Sequence, residues 1–504
     1  MDPRSFIGKR LGDHEIPTPA AVLDRAVVKR NCSNMLAAVQ NMNLGWRAHI
    51  KTHKTIELTR LQVGEELPVQ LVVSTILEAE RVLPLLKSYQ TQTIPAPRSV
   101  NVLYGFPLYA AAIPRLAAVA RELGPGGMSV LIDHPDQVAI AQRLAQTADT
   151  AIRAFVKVDM GTHRAGIILG TPQFTAVIQR VLTAHAAGEG LSFYGLYCHA
   201  GHSYDAREPW AALAHLVTEF TALGDAAESV RTIAKEMLSP TAAGAQFLPL
   251  VLSVGASPTA ASLQHPDLGG KGEGDAQDPS AAVNAARNAA TLRAKLNDLG
   301  SQGYELEVHA GVRPVLDLQQ LATHAWGGGS NGRAETDDLA LTVMADVASI
   351  YPGRGAQGGN EILVNAGCLA LGREPVKDAP IVSGGGPTYT GWGIVKPWNT
   401  DTGKPESGSR VVPPGAEFPR LLPADGSEGW WQVGRISQEH GILTFAGGPA
   451  PSVPFLQPQL GQRLRIWPNH ACIAGAGFSY YLVVDSLSEN PDEVVDVWER
   501  WTGW

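Results

Sequence analysis

The sequence predicts an α/β protein: a (β/α)8 barrel followed by a mostly β domain. Three observations carry this expectation. Eight short apolar strand signals alternate with helical patterns as far as His309. From about Ala310 the texture changes to short alternating β segments separated by Gly and Pro clusters. The chain, at 504 residues, is also too long for one ordinary domain. A doubly wound open sheet would give a similar alternation, and periodicity alone does not exclude it.

Taken in order, Ile16-Pro17-Thr18-Pro19 opens an extended piece over residues 20–23. Asp24 can then cap a helix to about Asn41, whose Val27, Val28, Met35, Leu36 and Val39 recur at helical spacing. The eight strand signals lie at residues 46–50, 71–76, 100–106, 129–132, 152–158, 193–199, 250–254 and 305–309. Helical patterns fall between them at 56–62, 76–89, 110–123, 137–147, 172–187 and 209–237. Residues 263–284 break the rhythm with a polar, Gly-rich run, read as a surface insertion or flexible loop. The later β segments are residues 339–351, 361–365, 430–436, 462–467, 480–484 and 494–498, with long loops expected across 380–426.

Composition narrows the partners. Hydrophobic residues make up 44% and charged ones 17%, which suits a well-buried globule. The net charge is −8 with no basic run, which argues against nucleic acid and anionic membranes. No apolar stretch approaches membrane-spanning length, and Met1-Asp2-Pro3-Arg4 lacks the apolar core of a signal peptide. The cysteines Cys32, Cys198, Cys368 and Cys472 are scattered, which points to reduced thiols and a cytoplasmic compartment.

Five stretches carry chemistry. Arg47-Ala48-His49-Ile50-Lys51-Thr52-His53-Lys54-Thr55 puts a lysine at the carboxyl end of the first strand, pointing into the barrel mouth. Partial desolvation there lowers an amine's pKa and makes it nucleophilic toward carbonyls. Taken alone the stretch is a basic turn, and Lys54 is the local competitor. Lys157-Val158-Asp159-Met160-Gly161-Thr162-His163-Arg164-Ala165-Gly166 follows the fifth strand; alone it is a strand end with a Gly turn. Cys198-His199-Ala200-Gly201-His202-Ser203-Tyr204 ends the sixth, where His and Tyr side chains can hold a flat ring or simply finish the barrel.

Val254-Gly255-Ala256-Ser257-Pro258-Thr259 closes the seventh strand. Small residues there expose backbone N–H groups and the hydroxyls add donors, as a phosphate requires. Barrel phosphate sites favour this position. Finally, Pro468-Asn469-His470-Ala471-Cys472 places a His and a Cys two apart, projecting to one side if the chain is extended. Thiolate plus imidazole prefers zinc. Spacing alone equally describes a core His and a free Cys.

These motifs together resemble the eukaryotic D-serine dehydratase and D-threonine aldolase family of pyridoxal-phosphate (PLP) enzymes, whose barrel is of the alanine-racemase type. The resemblance runs from about Ile16 to Val497, interrupted by residues 263–284 and 380–426. It implies a barrel over residues 21–309 and a β domain from 1–20 and 310–504. It implies Lys51 as the Schiff-base lysine, with Arg164 close to the pyridine ring. His199 and Tyr204 would be cofactor contacts, and Gly255 and Ser257 part of the phosphate cup. His470 and Cys472 would bind Zn2+, leaving positions open for water or substrate. The implied reaction converts D-serine to pyruvate and ammonia, with zinc acting on the β-hydroxyl. A homodimer is implied too, as is a substrate range reaching D-threonine or other D-3-hydroxy amino acids.

D-threonine aldolase on the same scaffold is the alternative; Cys472 favours the dehydratase, because the aldolases tend to place a carboxylate there for a harder metal. A racemase would need a second acid/base group facing Lys51, whose motif is absent. A non-catalytic PLP-binding protein fits poorly with an intact second domain carrying a metal pair. Val312-Arg313 departs from the Asn-Tyr type pair usual in the family. Asn365-Ala366-Gly367-Cys368 matches a family stretch read as structural, with Cys368 as a buried small hydrophobe. Arg435 to Gly441 also matches the family, and His440 within it receives no role.

Overall fold

The computed structural model describes residues 2–94, 96–237, 250–269, 279–325, 338–376, 389–397, 430–446 and 458–504. Its contacts separate two units. One comprises Met35–Gly270 with Gly274–Gly311 and Gly503–Trp504, and the other Met1–Asn34 with Val312–Thr502.

The chain enters through strand β1 (Ala20–Asp24), which belongs to the second unit, and helix α1 (Arg25–Asn41). Asp24 Oδ1 accepts from Ala26 N at 3.0 Å, so it begins the helix as its position in the sequence predicts. Eight strands follow: β2 (Gly45–His49), β3 (Val69–Val73), β4 (Val100–Pro107), β5 (Met128–Ile132), β6 (Ile152–Lys157), β7 (Leu191–Tyr197), β8 (Val251–Val254) and β9 (Glu305–Ala310). They form a closed barrel in chain order. The parallel pairing of β9 with β2, Arg47 opposite His309, closes it and rules out the open sheet.

Helices α2 (Ile56–Val63), α3 (Ile76–Thr91), α4 (Ile113–Leu123), α5 (Gln137–Ala148), α6 (Pro172–Ala187) and α7 (Pro209–Met237) alternate with the strands. Threonine hydroxyls start three of them: Thr55 accepts from Leu58 N, Thr75 from Glu78 N and Thr171 from Phe174 N. Residues 110–112, expected to open α4, form a 3-10 turn instead, and Pro114 in the first turn sets the α-helical start. Further on come α8 (Ser257–Ala261) and α9 (Pro279–Ser301). Where it is described, the stretch read as a polar insertion forms regular structure: 3-10 turns cover Ser262–Gln264 and Pro266–Leu268, and α9 begins at Pro279. Residues 270–278 lie outside the described residues.

The barrel interior is layered by chemistry. Val72, Leu103, Leu131, Phe155, Tyr197 and Val251 form a buried apolar cluster. Alternation along β2 sends Trp46 and Ala48 outward and Arg47 inward, where its guanidinium is fully buried. Arg47 is paired to Glu307 at 2.5 Å and to Asn101 at 2.7 Å, and lies 5.3 Å over the Phe155 ring. A buried charge so completely bonded is what makes its interior position tolerable.

The second unit is a nine-stranded sheet. Its strands are β1, β10 (Leu341–Tyr351), β11 (Glu361–Val364), β12 (Gly393–Pro397), β13 (Trp430–Ile436), β14 (Gly441–Ala446), β15 (Arg463–Pro468), β16 (Tyr480–Val484) and β17 (Asp496–Glu499). β11 pairs with both β14 and β10, so six of the strands close on themselves. Phe6, Leu11 and Ile16 pack with Val22, Met344, Leu482 and Val494 in one core. Short helices α10 (Leu318–Leu321), α11 (Cys368–Leu371) and α12 (Ala471–Ala476) lie between strands.

Two strands depart from the sequence-based expectation. β12 falls inside the stretch read as loops: it begins on a Gly, ends on a Pro and has only Ile394, Val395 and Lys396 between, too few to show alternation. Its pairing with β13 and β15 holds it. β14 is the return arm of a hairpin with β13, which the four residues Ser437 to His440 connect. Cys368 is half-buried and not a core thiol, because it opens α11, with its N–H bonded to Ser437 O. Among the described residues, no helix is long and apolar enough to cross a membrane.

Candidate functional site

Lys51 lies two residues beyond β2, in a turn, half-buried. Its amine makes no ion pair or hydrogen bond among the described residues. Lys54 differs sharply. It sits at φ +52° before α2, and its ammonium contacts the buried Glu78 carboxylate at 3.0 Å. That pairing, not a helix turning away, separates the two lysines.

The loop after β6 is organised around Asp159. Its carboxylate accepts from Gly161 N at 3.0 Å, His163 N at 3.1 Å and His163 Nδ1 at 2.7 Å. Gly166, at φ +112°, is required because a Cβ there would stand 2.8 Å from Asp159 N. Arg164 projects from this loop, exposed.

His199 follows β7 and is half-buried. Its Nδ1–H donates to the Gly255 carbonyl at 2.8 Å, leaving Nε2 as an acceptor. Burial, then the charges of Arg164, Lys51 and Lys157, pull it down to about 3, so the ring is neutral. Tyr204 sits in the 3-10 turn Gly201–Asp205, half-buried, its carbonyl accepting from Arg207.

Gly255 makes a very tight approach in the barrel: at φ +148°, a Cβ would lie 2.1 Å from His309 O. Only glycine lets the chain pass there. Ser257 opens α8, nearly buried, and Thr259 Oγ1 accepts from Ala256 N at 2.8 Å, holding the turn. Thus His199 and Gly255 are joined directly, and the charge of Lys51 acts on His199. Lys51, Lys157 and Arg164 are three cations without an ion pair among the described residues. Such a mouth favours an anionic ligand.

In the second unit, His470 has extended backbone as the N-cap of α12, and Cys472 lies in that helix's first turn. The two are therefore not on one extended strand, as the spacing suggests; the strand stops at Pro468 and a helix begins at Ala471. They remain bonded to each other. Burial pulls the imidazole down, but Cys472, Asp317 and Glu374 outweigh it and raise it to about 9. His470 Nδ1 is buried without a partner among the described residues. Asn469 fixes the motif by donating to Glu374 O and Gly391 O and accepting from Tyr389 Oη at 2.7 Å. Asp317 Oδ2 accepts from Ala471 N at 2.8 Å. Among the described residues, no group of three or more His, Cys, Asp or Glu could hold a metal ion.

Comparison with known proteins gives matching families for both units. Residues 23–264 match the family described as "Alanine racemase, N-terminal domain", and 340–484 the "Putative serine dehydratase domain". D-serine dehydratase of Schizosaccharomyces pombe is 31% identical, over 99% of this chain and 95% of its own. The chain belongs to the D-serine dehydratase family. The D-serine dehydratase of Saccharomyces cerevisiae is 29% identical, over 97% of each chain. Among solved structures, D-threo-3-hydroxyaspartate dehydratase from Delftia sp. superposes with a TM-score of 0.66 at 24% identity, covering 97% of this chain and 98% of that one. The alanine-racemase-like barrel with an antiparallel β domain is thus the fold of this D-serine dehydratase family member.

Several residues of this family member escape a reading of the sequence. Lys157 is buried at the end of β6, 5.6 Å over the Tyr197 ring, and burial followed by Arg164 lowers it to about 8. His309 stacks on Tyr197 at 4.2 Å, bonds Ser253 through Nδ1, and leaves Nε2 buried and without a partner among the described residues. Both lie at strand ends, and the inward register of their strands is the signal that could find them. Glu219, in the middle of α7, has no signal at all.

Proposed function

We propose that the protein is a PLP- and zinc-dependent D-serine dehydratase, forming pyruvate and ammonia. The carrying observation is the barrel mouth: a lysine amine without an ion pair among the described residues, beside a neutral, carbonyl-anchored histidine and a glycine-demanding loop. PLP fits those residues. The Gly255 passage leaves backbone unobstructed by a side chain, and His309 Nε2 and His49 Nδ1 are buried polar atoms without partners among the described residues.

Bound PLP supplies an electron sink for charge developing at the substrate's α-carbon. Lys51 would hold it through its amine and move the α-proton. Arg164 would supply positive charge toward the ring, His199 and Tyr204 would line it, and residues 255–259 would offer N–H and hydroxyl donors to the phosphate. Zinc fits His470 and Cys472 by donor chemistry and by the orphaned His470 Nδ1. It would supply Lewis-acid polarisation of a hydroxyl.

The experiment is direct. Purified protein incubated with D-serine, D-threonine or D-threo-3-hydroxyaspartate is assayed for keto acid, ammonia and glycine; keto acid and ammonia in equal amounts, fastest from D-serine, are expected. Glycine and an aldehyde from D-threonine would instead identify an aldolase. The third substrate is included because a relative from Delftia sp., 27% identical over 97% of this chain, is named for it.

The phosphate seat has its own test. Ser257→Asp places a carboxylate in a nearly buried turn meant for an anion and should weaken PLP binding at least about tenfold, by like-charge repulsion. Equilibrium titration of the cofactor-free variant with PLP measures it, and unchanged affinity would move the phosphate elsewhere.

A further inference from the structure

Glu219 is a fully buried carboxyl on α7 that the chemistry above leaves unused. Its Oε1 accepts from Ala200 N at 2.9 Å, in the loop after β7 that begins with His199. Its Oε2, also buried, makes no close hydrogen bond among the described residues. The Thr259 hydroxyl, in α8, and the Gly255 backbone, in the loop after β8, also act on it. The His199 ring is bonded to Gly255 O, so the two loops are tied twice, once through imidazole and once through this carboxyl.

We propose that Glu219 is a positioning residue that braces both loops and takes up a proton when the cofactor's phosphate seats on residues 255–259. This rests on the reading of that loop as the phosphate seat.

No cation is among the groups acting on Glu219. From α8 it meets the Thr259 hydroxyl, from the loop after β8 the Gly255 backbone, and from the loop after β7 the Ala200 N–H. On β7's end the nearby titratable group is the Cys198 thiol, itself pushed up by burial and by Glu219. Burial outweighs the three polar groups and pushes the carboxyl up to about 7. A phosphate dianion brought to the loop it braces adds a second negative charge, and so raises it further.

The sign follows from linkage. Below about pH 7 the carboxyl is protonated before and after binding, and no proton moves. Above that pH the free site is ionised, so binding must draw a proton from solvent. Affinity then falls by up to about tenfold per pH unit. Glutamine, isosteric and uncharged, keeps an acceptor for Ala200 N and removes the linkage.

Calorimetric titration of the cofactor-free full-length protein at pH 8.5, in buffers of differing ionisation enthalpy, counts the protons. PLP is compared with pyridoxal, which has the same aldehyde and no phosphate. The wild-type protein should take up about one proton more with PLP than with pyridoxal. Glu219→Gln should lose that difference and flatten the fall of PLP affinity between pH 7 and 9. Equal uptake for the two ligands in the wild type, or a difference that persists in Glu219→Gln, overturns the proposal. If thermal melting shows that Glu219→Gln does not fold, the wild-type comparison decides alone. Failure here with Ser257→Asp still weakening PLP removes only the role of Glu219, whereas an unaffected Ser257→Asp removes the seat itself.

Discussion

Borohydride reduction of the purified protein is expected to fix PLP to Lys51, and Lys51→Ala is expected to abolish both the label and the visible absorbance. The two nearby lysines make this a sharp test. Lys51 is half-buried, with an amine that pairs with nothing among the described residues. Lys54 neutralises Glu78, whose carboxylate is fully buried and also accepts from Ser74 N at 2.8 Å. Taking the Lys54 ammonium out of that pair would strand a buried charge, a loss of about 3–5 kcal/mol. Lys54→Ala should therefore keep the label and melt at lower temperature. Lys51→Ala should melt normally and lose at least the roughly 10²–10⁴-fold that a positioned proton-transfer group contributes. Mass spectrometry finding the label on Lys54, or on neither, would overturn the assignment.

Removing metal is expected to stop keto acid formation from D-serine while leaving PLP on Lys51. His470 and Cys472 lie in the second unit, and the residues proposed for PLP in the first, so the two functions should separate. Zinc should restore turnover and Mg²⁺ should do so poorly, because a thiolate is too soft a ligand for it. Cys472→Asp should lower zinc affinity by more than the about 10–100-fold typical of losing a supporting group behind a ligand. Elemental analysis accompanies each assay. Full turnover with zinc shown to be absent would refute a metal role in the reaction.

Legibility in the sequence differs with the range of the forces involved. The barrel strands can be read because each is a short apolar run, and three helix starts because a threonine stands at the cap. β12 cannot, since its five residues gain their partners from β13 and β15 and carry little pattern of their own. The His470–Cys472 pair is found by residue type, yet its spacing misleads about the backbone, because the helix at Ala471 depends on Asp317 accepting its first N–H from far away in the chain.

By itself, the sequence determined the order of strands and helices and the identity of the motif residues. Those depend on side-chain periodicity, caps and chemical type, which are local. Tertiary structure alone decided that the sheet closes, since that rests on β9 finding β2 across some 260 residues of chain. It also decided which lysine is unpaired among the described residues, through Glu78 on α3. And it brought Glu219 from the middle of α7 beneath the loops of β7 and β8. Contacts of that kind are made between residues with no sequence relation to each other, and only burial in a common interior gives them their strength.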